Sequence, residues 1–305
     1  MSPQTAPARV PASGFARPEL IASPEWLADQ LGRPETRILD VRWRPDGTGG
    51  AAFAAGHIPG AAWIDWRREL VEPGFPALPG GAGGSGSVDA TPGLRLAAPD
   101  RFAAAMARAG IGDGASLVIY DDTLGLYAAR TWWSLAAYGF ESARILDGGL
   151  PAWVEKRHPL SNASYPPAAA AFTPRANSRI RLTGTDVQAI LGSPDVILVD
   201  TRAAPEYRGL EGNARRLGHI PGAVNVPVGA MHVPGSHRLR SATELRDQLL
   251  KANVIRGRRI VVYDGSGVAA ARLAFVLALL GYEDVAVYDG GWPEWGDRLD
   301  LPVDR

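Results

Sequence analysis

The sequence predicts two tandem α/β domains, each a doubly wound, mainly parallel sheet flanked by helices. Three observations predict it. One set of landmarks occurs twice, in one order, along the 305-residue chain. The apolar runs are short and β-branched, the pattern of strands buried on both faces of a parallel sheet. Helix-start signals alternate with those runs, and strand–helix alternation builds a doubly wound unit.

The repeat is read first because it sets the domain count. Ile38-Leu39-Asp40-Val41-Arg42 answers Leu198-Val199-Asp200-Thr201-Arg202, and Gly-His-Ile-Pro-Gly-Ala follows each, at Gly56 to Ala61 and at Gly218 to Ala223. Leu117 to Asp121 answers Ile260 to Asp264, with Arg130 and Arg272 on the stretch that follows. Asp147-Gly148-Gly149 with Trp153 closes the first copy, and Asp289-Gly290-Gly291 with Trp295 closes the second. Four matched landmarks in one order imply duplication.

In chain order, residues 1–18 carry scattered proline and arginine and read as a flexible tail, and 19–160 form the first domain. Ser23-Pro24-Glu25 starts a helix, with serine at the cap and proline at the first helical position. Strands follow at Ile38 and Leu117. Between them Phe75 to Ala98, rich in glycine and proline and unique to this copy, reads as a surface loop near the domain interface. Residues 161–178 have linker composition, with Pro166, Pro167 and Pro174 around an alanine run. The second domain, 179–305, has strands at Val196 and Ile260 and a capping box at Ser241-Ala242-Thr243-Glu244. Ligands of such sheets sit beyond the carboxyl ends of the strands, where both Tyr-Asp loops fall.

Composition narrows the function. Hydrophobic residues at 46% and charged residues at 21% suit a globular chain. Its 32 basic and 32 acidic side chains cancel, so no general attraction to nucleic acid or an anionic membrane is expected. With no apolar run of about 18 residues, cytoplasmic residence is the default. The absence of cysteine excludes disulfides, thiolate metal sites and thiol nucleophiles, and neither metal nor cofactor is expected.

The chemistry-bearing loop is Tyr263-Asp264-Gly265-Ser266-Gly267-Val268, a strand end, a glycine turn and a helix start. Its backbone N–H groups and the helix N-terminus could cradle an anion or a thiolate. The same residues would also make an ordinary tight strand-to-helix turn.

Together the two copies, the Gly-His-Ile-Pro-Gly-Ala segments, the Tyr-x-Gly-Ser-Gly-Val loop and the closing Asp-Gly-Gly with tryptophan resemble the tandem rhodanese-like sulfurtransferases, over roughly Glu19 to Pro302. The resemblance implies transfer of sulfane sulfur from thiosulfate or 3-mercaptopyruvate, through a cysteine persulfide, to a thiophilic acceptor. The Gly-Ser-Gly-Val wording is closer to the mercaptopyruvate branch. Asp264 stands at the position of that cysteine. A carboxylate cannot form a persulfide, which needs a soft thiolate that attacks and later releases sulfur. Asp264 instead reads as a built-in ligand of its own cradle, with a pKa below the reference of about 3.9.

The resemblance also implies roles for His57, the histidine brought to the domain interface, and Ser266, a proton relay. Read structurally, His57 fixes a turn, since its segment occurs in both copies, and Ser266 shapes the loop. Gly265, Gly267 and Val268 would contribute to substrate binding. Arg202 and Arg208 could clamp a carboxylate or sulfonate or lie in salt bridges, and Glu206 between them disfavours an anion. Asp40, Asp147, Asp200 and Asp289 read as structural caps.

Three functions follow. The first is a sulfurtransferase-like protein made inactive by Asp264, binding a small anionic sulfur compound or a protein partner at the interdomain cleft. The second is a hydrolase with Asp264 as nucleophile or base. The third is an active sulfurtransferase whose cysteine was replaced by engineering.

Overall fold

Both copies fold to the same plan in the computed structural model, which describes residues 14–73, 94–164, 167–212 and 214–305. The first domain runs β1 (Ile21–Ala22), α1 (Pro24–Ala28), β2 (Thr36–Asp40), α2 (Gly49–Ala55), β3 (Ala61–Trp63), α3 (Trp66–Glu69), α4 (Pro99–Arg108), β4 (Ser116–Tyr120), α5 (Leu126–Ala137), β5 (Ala143–Leu146) and α6 (Gly149–Glu155). The second runs β6 (Arg181–Leu182), α7 (Gly184–Ala189), β7 (Val196–Asp200), α8 (Ala204–Tyr207), β8 (Val224–Asn225), α9 (Ala242–Lys251), β9 (Arg259–Tyr263), α10 (Val268–Leu279), β10 (Val285–Tyr288) and α11 (Gly291–Asp297). A 3-10 turn at Val228–Met231 stands where the first domain has α3.

Each domain holds one five-stranded parallel sheet, ordered β1-β5-β4-β2-β3 and β6-β10-β9-β7-β8. The central registers correspond: Asp40 lies opposite Tyr120 and Asp200 opposite Tyr263. The expected caps are present, Ser23 accepting from Trp26 N and Ser241 forming a full capping box with Glu244.

Strand alternation separates two layers. Val118 and Tyr120, like Val261 and Tyr263, point to an outer layer that belongs to one domain. Ile119 and Val262 point the other way, into a core continuous through both domains. At its centre α5 and α10 pack together, with Trp132 edge-on to Phe275 at 5.2 Å. Every residue of α10 except Ala278 is buried, so its sequence is apolar all round rather than amphipathic. Burying Phe275 alone contributes about 1.5–3 kcal/mol.

Two segments make contacts that their composition does not announce. Residues 1–13 of the tail lie outside the described residues, but Arg17 N donates to Leu279 O at 3.0 Å and Gly14 O accepts from Arg246. The end of that tail is therefore held on the second domain. The segment expected as a linker is pinned to the first: Phe172 is buried against Phe102 and Phe140, and Arg175 N and Asn177 N donate to Tyr138 O and Ala137 O. Composition cannot reveal contacts that one aromatic and a few backbone groups make with a distant surface. Most of the Phe75–Ala98 loop lies outside the described residues; Leu94–Ala98 runs along the interface. No helix among the described residues is long and apolar enough to cross a membrane.

Candidate active-site loop

The landmarks of the repeat bond to one another. Asp40 accepts both the backbone N and the guanidinium of Arg42, which donates on to Gly56 O at 2.8 Å; Asp200, Arg202 and Gly218 O repeat this, at 2.7 Å for the last contact. The loop tyrosines reach the same segments, Tyr120 OH accepting from Ile58 N and Tyr263 OH from Ile220 N. The closing glycines meet the loops. Gly149 and Gly291 have φ near +58°, and a Cβ there would stand 2.3 and 2.4 Å from the carbonyls of Asp121 and Asp264. Only glycine tolerates both demands.

At the carboxyl end of central strand β9, Asp264 turns back into the loop that follows it. One carboxylate oxygen accepts from Gly267 N, and the other from Ala269 N at 2.9 Å and Ser266 Oγ at 3.2 Å. Ser266 Oγ also accepts from Val268 N. The first domain does the same: Asp121 accepts from Thr123 N, Gly125 N and Ala128 N at 2.8–2.9 Å. Asp264 and Ser266 are each 0% exposed.

Burial reverses the expected titration. The Asp264 carboxyl is held above its ordinary range, because loss of hydration outweighs the Gly267 and Ala269 donors and the nearby Arg130 charge. Asp121 is raised for the same reason. The local donors were legible in the sequence; the packing that excludes water from them was not.

The other expected residues are dispersed. His57 lies in the outer layer, not at the interface: its Nδ1 bonds Phe53 O at 2.9 Å and its ring stacks on Phe53 at 3.9 Å. His219 does likewise with Tyr207. Arg202 is committed to Asp200 and lies 4.5 Å over Trp292 with its side chain 1% exposed, so it presents no free fork to a substrate. Arg208 is exposed and donates to Ala204 O within its own helix. Glu206 accepts from Ala203 N, and burial raises its pKa. Gly265, Gly267 and Val268 are buried with the loop, Val268 in the shared core. Asp289, read as a cap, instead takes Arg130 and Leu96 N across the interface and Arg181 from its own domain. Arg130 and Arg272 were visible as paired landmarks, though nothing local announced where they reach.

A duplicated parallel α/β unit with an anion-type loop after its central strand defines a tandem two-domain class. The Rhodanese-like domain model matches residues 23–156 and 183–298. The chain belongs to the rhodanese family. It is 32% identical over 304 residues to the sulfur carrier protein TtuD of Thermus thermophilus, covering 95% of this chain and 98% of that protein. It is 36% identical to the putative thiosulfate sulfurtransferase SseB of Mycobacterium tuberculosis, over 90% of this chain and 93% of that one. The crystal structure of the 3-mercaptopyruvate enzyme SseA from Escherichia coli superposes with a TM-score of 0.77 at 29% identity, covering 90% of this chain and 98% of that one.

Proposed function

We propose that this chain is a cytoplasmic rhodanese-family pseudoenzyme, unable to carry sulfur as a persulfide and retained for binding at the interdomain region. One observation carries the reading: the Asp264 carboxylate already takes the loop donors that would otherwise stabilise a thiolate or a substrate anion. A second anion about 4 Å away would meet repulsion of roughly 1–4 kcal/mol, depending on effective dielectric. The relatives are named as sulfurtransferases and a sulfur carrier, and both tasks by thiol chemistry need a cysteine that this chain lacks. The geometry gives Asp264 no hydrolytic role, since both its carboxylate oxygens are already taken by Gly267 N, Ala269 N and the Ser266 hydroxyl. The ligands left are a small anionic sulfur compound held without turnover, or a protein partner.

The test is steady-state turnover of thiosulfate and 3-mercaptopyruvate with cyanide, for the unmodified chain and for Asp264→Cys. The unmodified chain should be silent. Asp264→Cys should recover partial transfer, because the N–H groups of Gly267 and Ala269 and the start of α10 would lower a thiol's pKa. Mercaptopyruvate should be the better donor, as the loop offers thiosulfate no basic side chain. Turnover by the unmodified chain would overturn the reading, and a folded but silent Asp264→Cys would show that the rest of the site has decayed.

A further inference from the structure

The two domains exchange arginines. Arg130, on the second turn of α5 in the first domain, crosses the interface: Nη1 donates to Gly267 O of the second domain's loop at 3.3 Å and Nη2 to Asp289 at 3.0 Å, while Nη2 also donates to Leu94 O of its own domain. Its guanidinium lies 4.5 Å over Trp133 and is 1% exposed. Gly267, at φ +82°, is the slot it enters; a Cβ there would sit 2.5 Å from Nη1. Arg272, at the matching place on α10, returns the contact, its Nη1 2.8 Å from where a Cβ on Gly125, at φ +71°, would lie. The glycine that closes each loop is thus a seat for the other domain's cation.

The exchange is unequal. Arg130 meets a buried carboxylate, Asp289. Arg272 meets His232 Nε2 at 2.9 Å, where burial and that arginine push the imidazole down to about 4, and burial brings Arg272 itself down to about 10. Arg272's charge favours the ionised form of Asp121 as Arg130's favours that of Asp264. Of the two arginines, however, Arg130 is the one that ion-pairs a buried carboxylate, and it does so beside the second domain's loop.

We propose that Arg130, contributed by the first domain, is the positioning residue of the second domain's loop, holding the Gly267 turn closed and placing a fixed positive charge beside whatever anion stands at position 264. This rests on the proposed function only in taking position 264 as the anion site. A catalytic cysteine at that position would be tuned by the other domain rather than by its own loop alone, which gives the duplicated architecture a chemical reason. Arg130 already acts this way on the present carboxylate, favouring its ionised form against burial. The other charged groups at this face are Asp289 itself, Arg181, which shares Asp289 at 2.9 Å, and the Arg95–Glu294 pair at 2.7 Å.

The full chain with Asp264→Cys supplies the test. No other cysteine is present, so the ultraviolet absorbance that Asp264→Cys adds to the parent's pH titration, which subtracts the tyrosinate signal, reports position 264 and needs no reagent to enter a buried site. Adding Arg130→Met should raise the thiol's pKa by about 1 or more, the effect of losing an adjacent opposite charge. Arg130→Lys, which keeps the charge without the planar fork, should raise it less. Asp289→Asn, which frees the guanidinium from its counter-charge, should lower it, a direction that simple loosening of the loop does not produce. Should Arg130→Met fail to fold, Arg130→Lys and Asp289→Asn decide the matter. A thiol pKa indifferent to these changes, or raised by Asp289→Asn, overturns the assignment. The outcome separates from that of the proposed function: an Arg130-dependent thiol in a silent Asp264→Cys chain counts against recovery of transfer and leaves the clamp standing, while turnover with an Arg130-independent thiol does the reverse.

Discussion

Replacing Asp264 by alanine isolates what the carboxylate contributes to its own loop. In the folded chain it satisfies Gly267 N, Ala269 N and the Ser266 hydroxyl, all buried. Alanine leaves the two N–H groups without acceptors, and an unsatisfied buried donor costs about 1–3 kcal/mol. Opposing this, the variant no longer buries a carboxylate whose raised pKa marks it as poorly solvated. The difference leaves a net loss of about 2–4 kcal/mol at neutral pH. Asp121→Ala should behave the same way, because Asp121 holds Thr123 N, Gly125 N and Ala128 N in the matching turn. The assay is urea unfolding followed by tryptophan fluorescence and circular dichroism, with coincidence of the two probes checked before free energies are extracted. If Asp264→Ala stays within about 0.5 kcal/mol of the parent, as an ordinary surface change would, the carboxylate is not the ligand of its loop and the argument for a filled cradle fails.

Two further outcomes follow from the same geometry. Carbon-detected NMR titration of Asp264 should place its midpoint above about 3.9, the unfolded reference. With the folded pKa raised, the native state holds the extra proton, so this residue's stabilising contribution is full below that reference and is lost as pH rises through the folded pKa; Asp264→Asn should remove that part of the pH dependence, and a midpoint below 3.9 would contradict the burial argument. Arg202→Met leaves Asp200 as an uncompensated buried charge and should cost about 3–5 kcal/mol. Arg208→Met on the exposed face of α8 should cost no more than about 0.5 kcal/mol by thermal melting, and equal effects would argue against the buried role of Arg202.

The duplication, the four main strands and the helix caps at Ser23 and Ser241 were readable from order and periodicity, because each depends on residues close together in the chain. So was the loop after β9 and the loss of its thiol, since residue identity alone decides whether a persulfide can form. What Arg202, His57 and Asp289 do was not readable. Asp-x-Arg looks the same whether its guanidinium faces a substrate or, as here, closes on Asp200 and Gly218 O. His57 was placed by the resemblance at the interface, yet the alternation that sends Tyr120 outward carries its partner segment to the opposite layer. Asp264 shows the division within one residue. Its hydrogen-bond donors lie within five positions along the chain, so sequence supplied the reasons for a lowered pKa. The burial that reverses the sign comes from tertiary packing, and the Arg130 charge that moderates it arrives from a domain more than a hundred residues away. Desolvation belongs to the packed interface as a whole, and no local pattern encodes it.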